Sequence, residues 1–162
     1  MDSKKQVAEF KRKYHLKNIN STVLHDTLTA QGYTVIEFNN IENKPDVASL
    51  IEALDLRGRI ACSKCFTYQN DKYRLIFIHE DLNEEERCIV LAHEEGHIWN
   101  RHFSERRIFG NDIIQEYEAN EFVYHLLADR EAQRRKRRMF VAVCTGLCLF
   151  FSVCSICVIL KK

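Results

Sequence analysis

The chain has 162 residues, 46% of them hydrophobic and 29% charged, with a formal net charge of +1 at pH 7, enough apolar content to bury a core and too much for a disordered chain. The near-neutral total hides a division, because residues 1–133 carry 17 basic against 23 acidic residues, a net −6, and the remaining basic residues all follow them. An acidic domain argues against general nucleic-acid binding, so no direct nucleic-acid contact is expected.

Lys4 to Tyr14 reads as a charged helix with Val7, Phe10 and Tyr14 as its apolar face. Asn20 or Ser21 opens a second helix that ends near Gly32, and Tyr33 to Phe38 follows as a strand. Ile41 to Leu56 holds the only proline, Pro45, and then a short helix. Arg59 to Tyr68 and Tyr73 to His79 read as strands flanking a turn at Asn70-Asp71, which makes a hairpin.

A longer helix opens at Asn83, which can cap the backbone, with Glu86 three residues on in capping-box position and Glu84 and Glu85 at the positive end of the dipole. Ile89, Val90, His93 and His97 recur along it at three- and four-residue spacing and predict one core-facing side that includes both histidines. Within it lies the run His93-Glu94-Glu95-Gly96-His97. Histidines four apart on a helix stand one above the other, roughly 6 Å apart along the axis. Two neutral imidazoles so placed can supply two of three protein ligands to a catalytic zinc and leave a position for water. Glu94 projects about 100° round the helix from His93, beside the metal, where a general base belongs.

Ile113 to Leu127 reads as a further helix, begun at Asn111 or Asp112, with apolar positions at Ile113, Ile114, Tyr117, Val123, Leu126 and Leu127. Glu116 and Asn120 lie one turn apart on a common face. Zinc hydrolases with two histidines commonly take a glutamate as third ligand, and Glu116 and Glu118 both compete for that place. They stand about 200° apart, so both cannot face one ion.

The string His93-Glu94-x-Gly96-His97, then Glu116-Tyr117-Glu118-Ala119-Asn120-Glu121-Phe122, then Leu126-Leu127, resembles the ImmA/IrrE family of zinc metallo-endopeptidases, an HExxH gluzincin-like group. The resemblance spans most of residues 1–133, with its specific motifs between His93 and Leu127. It implies Glu116 as the third zinc ligand and Asn120 as the neighbour that hydrogen-bonds a ligand. It also implies an α+β domain, a small mix of helices with a three-stranded antiparallel sheet of zincin type. Family members are similar in cleaving helix-turn-helix repressors, so the implied substrate is a cytoplasmic regulatory protein of that kind. Where the family often continues into Met-Pro, this chain has Ala128-Asp129. On this reading His93, His97 and Glu116 hold Zn2+, and Glu94 takes the proton of the attacking water. Tyr117, Tyr124, His102 and His125 are nearby candidates to stabilise the oxyanion. His125, nine residues from Glu116, falls on the opposite side of the helix and is not expected as a ligand.

From Met139 to Leu160 no charged residue interrupts 22 positions. As a helix this segment would be about 33 Å long, enough for the roughly 30 Å hydrocarbon core, so it is expected to span the membrane. Arg134, Arg135, Lys136, Arg137 and Arg138 precede it, against Lys161 and Lys162 after it, and the positive-inside bias puts the large domain in the cytoplasm. The basic run is also expected to attract anionic lipid, at about 1 kcal/mol per residue. With a polar N-terminus and no signal peptide, the chain reads as a single-pass, tail-anchored protein: a catalytic domain over 1–133, a basic juxtamembrane segment over 134–138 and a transmembrane helix over 139–160. Cys144, Cys148, Cys154 and Cys157 lie in the apolar span, while Cys62 and Cys65 form a lone Cys-x-x-Cys pair and Cys88 stands apart. Without a second pair a structural zinc site is not expected there, and a reducing cytoplasm suits these thiols. The competing function class is a non-catalytic, membrane-tethered module that keeps the zinc fold for binding or signalling.

Overall fold

Side-chain caps set where the helices begin. The computed structural model describes residues 2–38, 45–58, 64–103, 113–128 and 130. Asp2 accepts the backbone N–H of Lys4 at the start of α1 (Ser3–Lys13), and Asn20 accepts that of Val23 at the start of α2 (Ser21–Ala30). Gly32, with φ at 86°, turns the chain into β1 (Thr34–Phe38), a conformation glycine adopts without steric cost. α3 (Pro45–Ala53) starts on its proline, whose missing N–H would have no helical partner there. β2 (Cys65–Gln69) and β3 (Arg74–His79) form the hairpin, and Asn70 Oδ1 holds its turn by accepting from the backbone N–H groups of Lys72 and Tyr73. α4 (Glu84–Trp99) has the full capping box, with Glu86 N–H donating to Asn83 and Asn83 N–H donating back to the Glu86 carboxylate, each at 3.0 Å. α5 covers residues 113–128.

The predicted segments 134–138 and 139–160, Cys62, and the helix start at Asn111 or Asp112 lie outside the described residues. Among the described residues no helix is long and apolar enough to cross a membrane. The chain divides into two units, Met1–Leu126 and Leu127–Lys162, and the sheet and α1 to α4 belong to the first.

The sheet order is β1-β3-β2, with β2 antiparallel and β1 parallel to β3. This corrects the expectation of an antiparallel sheet: the sheet is mixed. Only β2 and β3 are joined by a tight turn, which forces them antiparallel. The connection from β1 to β3 carries α3 and β2 and is long enough for a crossover.

β3 is the central strand, and Leu75, Ile76, Phe77 and Ile78 are all buried, as a strand covered on both faces requires. Leu75 and Phe77 join Phe38, Ile51, Leu56 and Phe66 in one apolar cluster beside α3. Ile76 and Ile78 alternate to the other face. Each such side chain contributes about 1.5–3 kcal/mol by leaving water. α4 packs against α2 and β2. At its C-terminal end the Phe10 ring lies edge-on to Trp99 and Phe122, with centroids 5.2 and 5.3 Å away.

Two predicted faces need correction. The core side of α4 is Cys88, Leu91, Ala92, Glu95 and Gly96, whereas Ile89 is exposed and both histidines stand at the edge. On α5 the core side is Ala119, Phe122 and Leu126, while Ile113, Ile114 and Tyr117 are exposed. In both helices apolar residues border a polar site as well as the core, so apolar spacing alone does not mark the buried stripe.

Candidate metal centre

The site is built where α4 and α5 cross at very short range. A Cβ on Gly96 would meet the Ala119 Cα and carbonyl oxygen at 3.1 Å and the Phe122 Cβ at 3.2 Å. Only glycine opposite a small residue allows that approach, and it carries Glu116, three residues before Ala119, over the histidine pair. Glu116 Oε2 lies 3.2 Å from His93 Nε2 and Oε1 lies 3.3 Å from His97 Nε2. The two Nε2 atoms are 3.0 Å apart.

These distances test whether the residues fit a metal. A tetrahedral zinc with donors at about 2.0–2.2 Å separates its ligand atoms by about 3.3 Å. The three observed spacings fall at or just below that edge, and the two-imidazole, one-carboxylate set suits zinc. Burial, followed by the neighbouring His93 and His102, lowers the pKa of His97 to about 4, so it stays neutral and able to ligate at pH 7.

Glu94 and Glu95 leave the helix in different directions. Glu94 is buried beside the donors; burial raises its pKa, while hydrogen bonding by Thr67 on β2 and the proximity of His93 oppose the rise. Glu95 turns into the core, where the Gln31 amide of α2 donates to both its oxygens at 2.7 and 2.9 Å. Its burial outweighs that amide and the charge of Lys13 and pushes its pKa up to about 7.

Other predicted residues fall elsewhere. Glu118 does not reach the donors; its Oε2 lies 3.0 Å from His102 Nε2, and His102 Nδ1 lies 2.9 Å from His97 Nδ1. His102 therefore sits on the Nδ1 side of the His97 ring, while Glu116 faces Nε2. The Tyr117 hydroxyl donates to Glu121, and Tyr124 is exposed and packed edge-on to His125. Asn120 is exposed, and among the described residues no hydrogen bond joins it to the three donors. It lines a cavity of about 240 Å³ beside His93 and Glu94, whose other walls are Ile89, Val90, Val123 and Cys65. The Cys65 thiol is pushed well up by burial and then by Glu94, which keeps it protonated.

Sequence reasoning missed Thr67, the Gly96–Ala119 contact and the His102–Glu118 pair. The glycine inside the motif was a usable signal for the second. The other two depend on tertiary folding.

No curated protein and no solved structure matches the chain. Residues 55–141, just over half of the chain, match peptidase family M78, the IrrE N-terminal-like domain. The match takes in α4, α5 and all three donors, and the chain therefore belongs to the IrrE N-terminal-like domain family.

Proposed function

We propose that the protein is a zinc-dependent endopeptidase in which His93, His97 and Glu116 hold the ion and Glu94 is the general base. The observation that carries this is the convergence of two Nε2 atoms and one carboxylate at 3.0 to 3.3 Å, with a buried carboxyl next to them. Zinc in such a site supplies Lewis acidity and makes water nucleophilic near neutral pH. Glu94 accepts the proton of the attacking water and passes it to the leaving amine, and its raised pKa suits both halves of that transfer. The cavity walled by Ile89, Val90 and Val123 suits an apolar side chain of the peptide next to the bond cut.

The substrate we propose is a cytoplasmic regulatory protein such as a helix-turn-helix repressor, on the strength of the family resemblance. The apolar run Met139 to Leu160 and the basic residues Arg134 to Arg138 support a membrane anchor that keeps the catalytic domain in the cytoplasm.

The test is metal content of the purified full chain in detergent. About one zinc per chain, lost in Glu116→Ala, supports the reading. A folded wild-type chain without zinc would overturn it.

A further inference from the structure

The end of α4 places a second histidine against the first. Arg101 N–H donates to Ile98 O at 3.0 Å and His102 N–H to His97 O at 3.0 Å, the bond pair of a Schellman cap. Arg101 supplies the left-handed residue of that cap, with φ at 61°, although it is not glycine. In this cap the residue after the left-handed one folds back over the helix residue five positions earlier. Here those residues are His102 and His97, and their rings meet edge-on with centroids 5.0 Å apart.

With both imidazoles neutral and Glu118 ionised, the hydrogen-bond inventory closes in one direction. An ionised Glu118 carboxylate can only accept, so the hydrogen between Glu118 and His102 sits on His102 Nε2. A neutral His102 has its lone pair on Nδ1, so His97 donates from Nδ1 across the 2.9 Å contact. What remains on His97 is an Nε2 lone pair, the atom that faces Glu116 and His93. A metal-bound histidine whose other nitrogen donates to a carboxylate is a common arrangement. Here a complete imidazole stands between the two.

We propose that His102 and Glu118 are positioning residues for His97, a relay that fixes its ring orientation and its tautomer so that Nε2 is presented as a donor. The proposal rests on the zinc site proposed above. It gives Glu118, which the sequence offered as a rival ligand, a role behind the ligand instead. His102 is 5% exposed and Glu118 43% exposed, so the inner member of the relay is packed while the outer one tolerates substitution.

The experiment uses the full chain and two readouts. One is zinc affinity by chelator competition, and the other is the 15N shift of the imidazole nitrogens in metal-free protein. In the wild type His97 should be the Nδ1–H tautomer and His102 the Nε2–H tautomer. Glu118→Ala should weaken zinc about tenfold and His102→Ala by about 10–100-fold, while the melting temperature of metal-free Glu118→Ala stays at the wild-type value. Should His102→Ala fail to fold, the exposed Glu118→Ala decides alone. Wild-type zinc affinity in the variants, or His97 found as the Nε2–H tautomer, would overturn the relay and leave the zinc site standing. A wild type that binds no zinc would instead remove the site, and the relay with it.

Discussion

The two sides of α4 set neighbouring carboxyls to different uses. Glu95, fully buried, meets a single amide from α2 and no metal donor. Glu94, slightly less buried, meets β2 and the donor cluster. Burial raises the pKa of both, and the rise to about 7 belongs to Glu95, the residue with no reacting partner. A perturbed carboxyl is thus a functional candidate only when its oxygens face a place where chemistry can happen. On the core side the same physics ties α4 to α2 at an electrostatic cost.

Four substitutions would break or sharpen this contrast. The largest effect is expected for Glu94→Gln, which should lower peptidase activity about 10²–10⁴-fold with zinc content unchanged; Glu95→Gln should leave activity near wild type. Comparable activity in the two variants would erase the distinction. The second concerns pH. Glu95 has a folded pKa raised above its unfolded value, so its contribution to stability is complete below about 4.5 and is lost as pH rises to about 7. Over that window the loss is of order 3 kcal/mol. Urea unfolding of Glu95→Gln should match wild type near pH 4.5 and exceed it at pH 8, and parallel pH profiles would contradict this. Third, Gly96→Ala should act on both sides at once, costing about 1–3 kcal/mol by overpacking against Ala119 and weakening zinc by displacing Glu116. Smallest is Asn83→Ala, which removes the α4 cap for about 1 kcal/mol and should leave zinc affinity unchanged.

How much of this could be read beforehand differs from residue to residue. Asn83 and Glu86 announce the start of α4 because a capping box is local, and the four-residue spacing of His93 and His97 fixes a shared face for the same reason. Asn20, Asn70 and Pro45 were legible on equally local grounds. The pairing of β1 with β3 was not, because alternation along Thr34–Phe38 specifies faces and says nothing about direction or neighbour. Ile89 misled because an apolar residue beside a cleft keeps helical spacing as faithfully as one in the core, and Ile113 and Tyr117 misled because they are exposed apolar residues at helical spacing. The angle of about 200° between Glu116 and Glu118 has its counterpart in the structure, where they face different histidines. It could not say that Glu118 had a histidine of its own, because that depends on how the chain turns after Trp99.

Glu116 has a consequence beyond coordination, because it stands on a different helix from the two histidines and is 59% exposed. A metal shared by the three would be a cross-link that pins α5 across α4 and closes the chain between residues 97 and 116. Its binding free energy would then count as folding free energy for that loop, about 4 kcal/mol when free zinc exceeds Kd by 1,000-fold. On the proposed function, zinc supply would govern how firmly α5 is fastened as well as peptide cleavage, and starvation for the metal would present as a loosened α5 before any loss of the sheet.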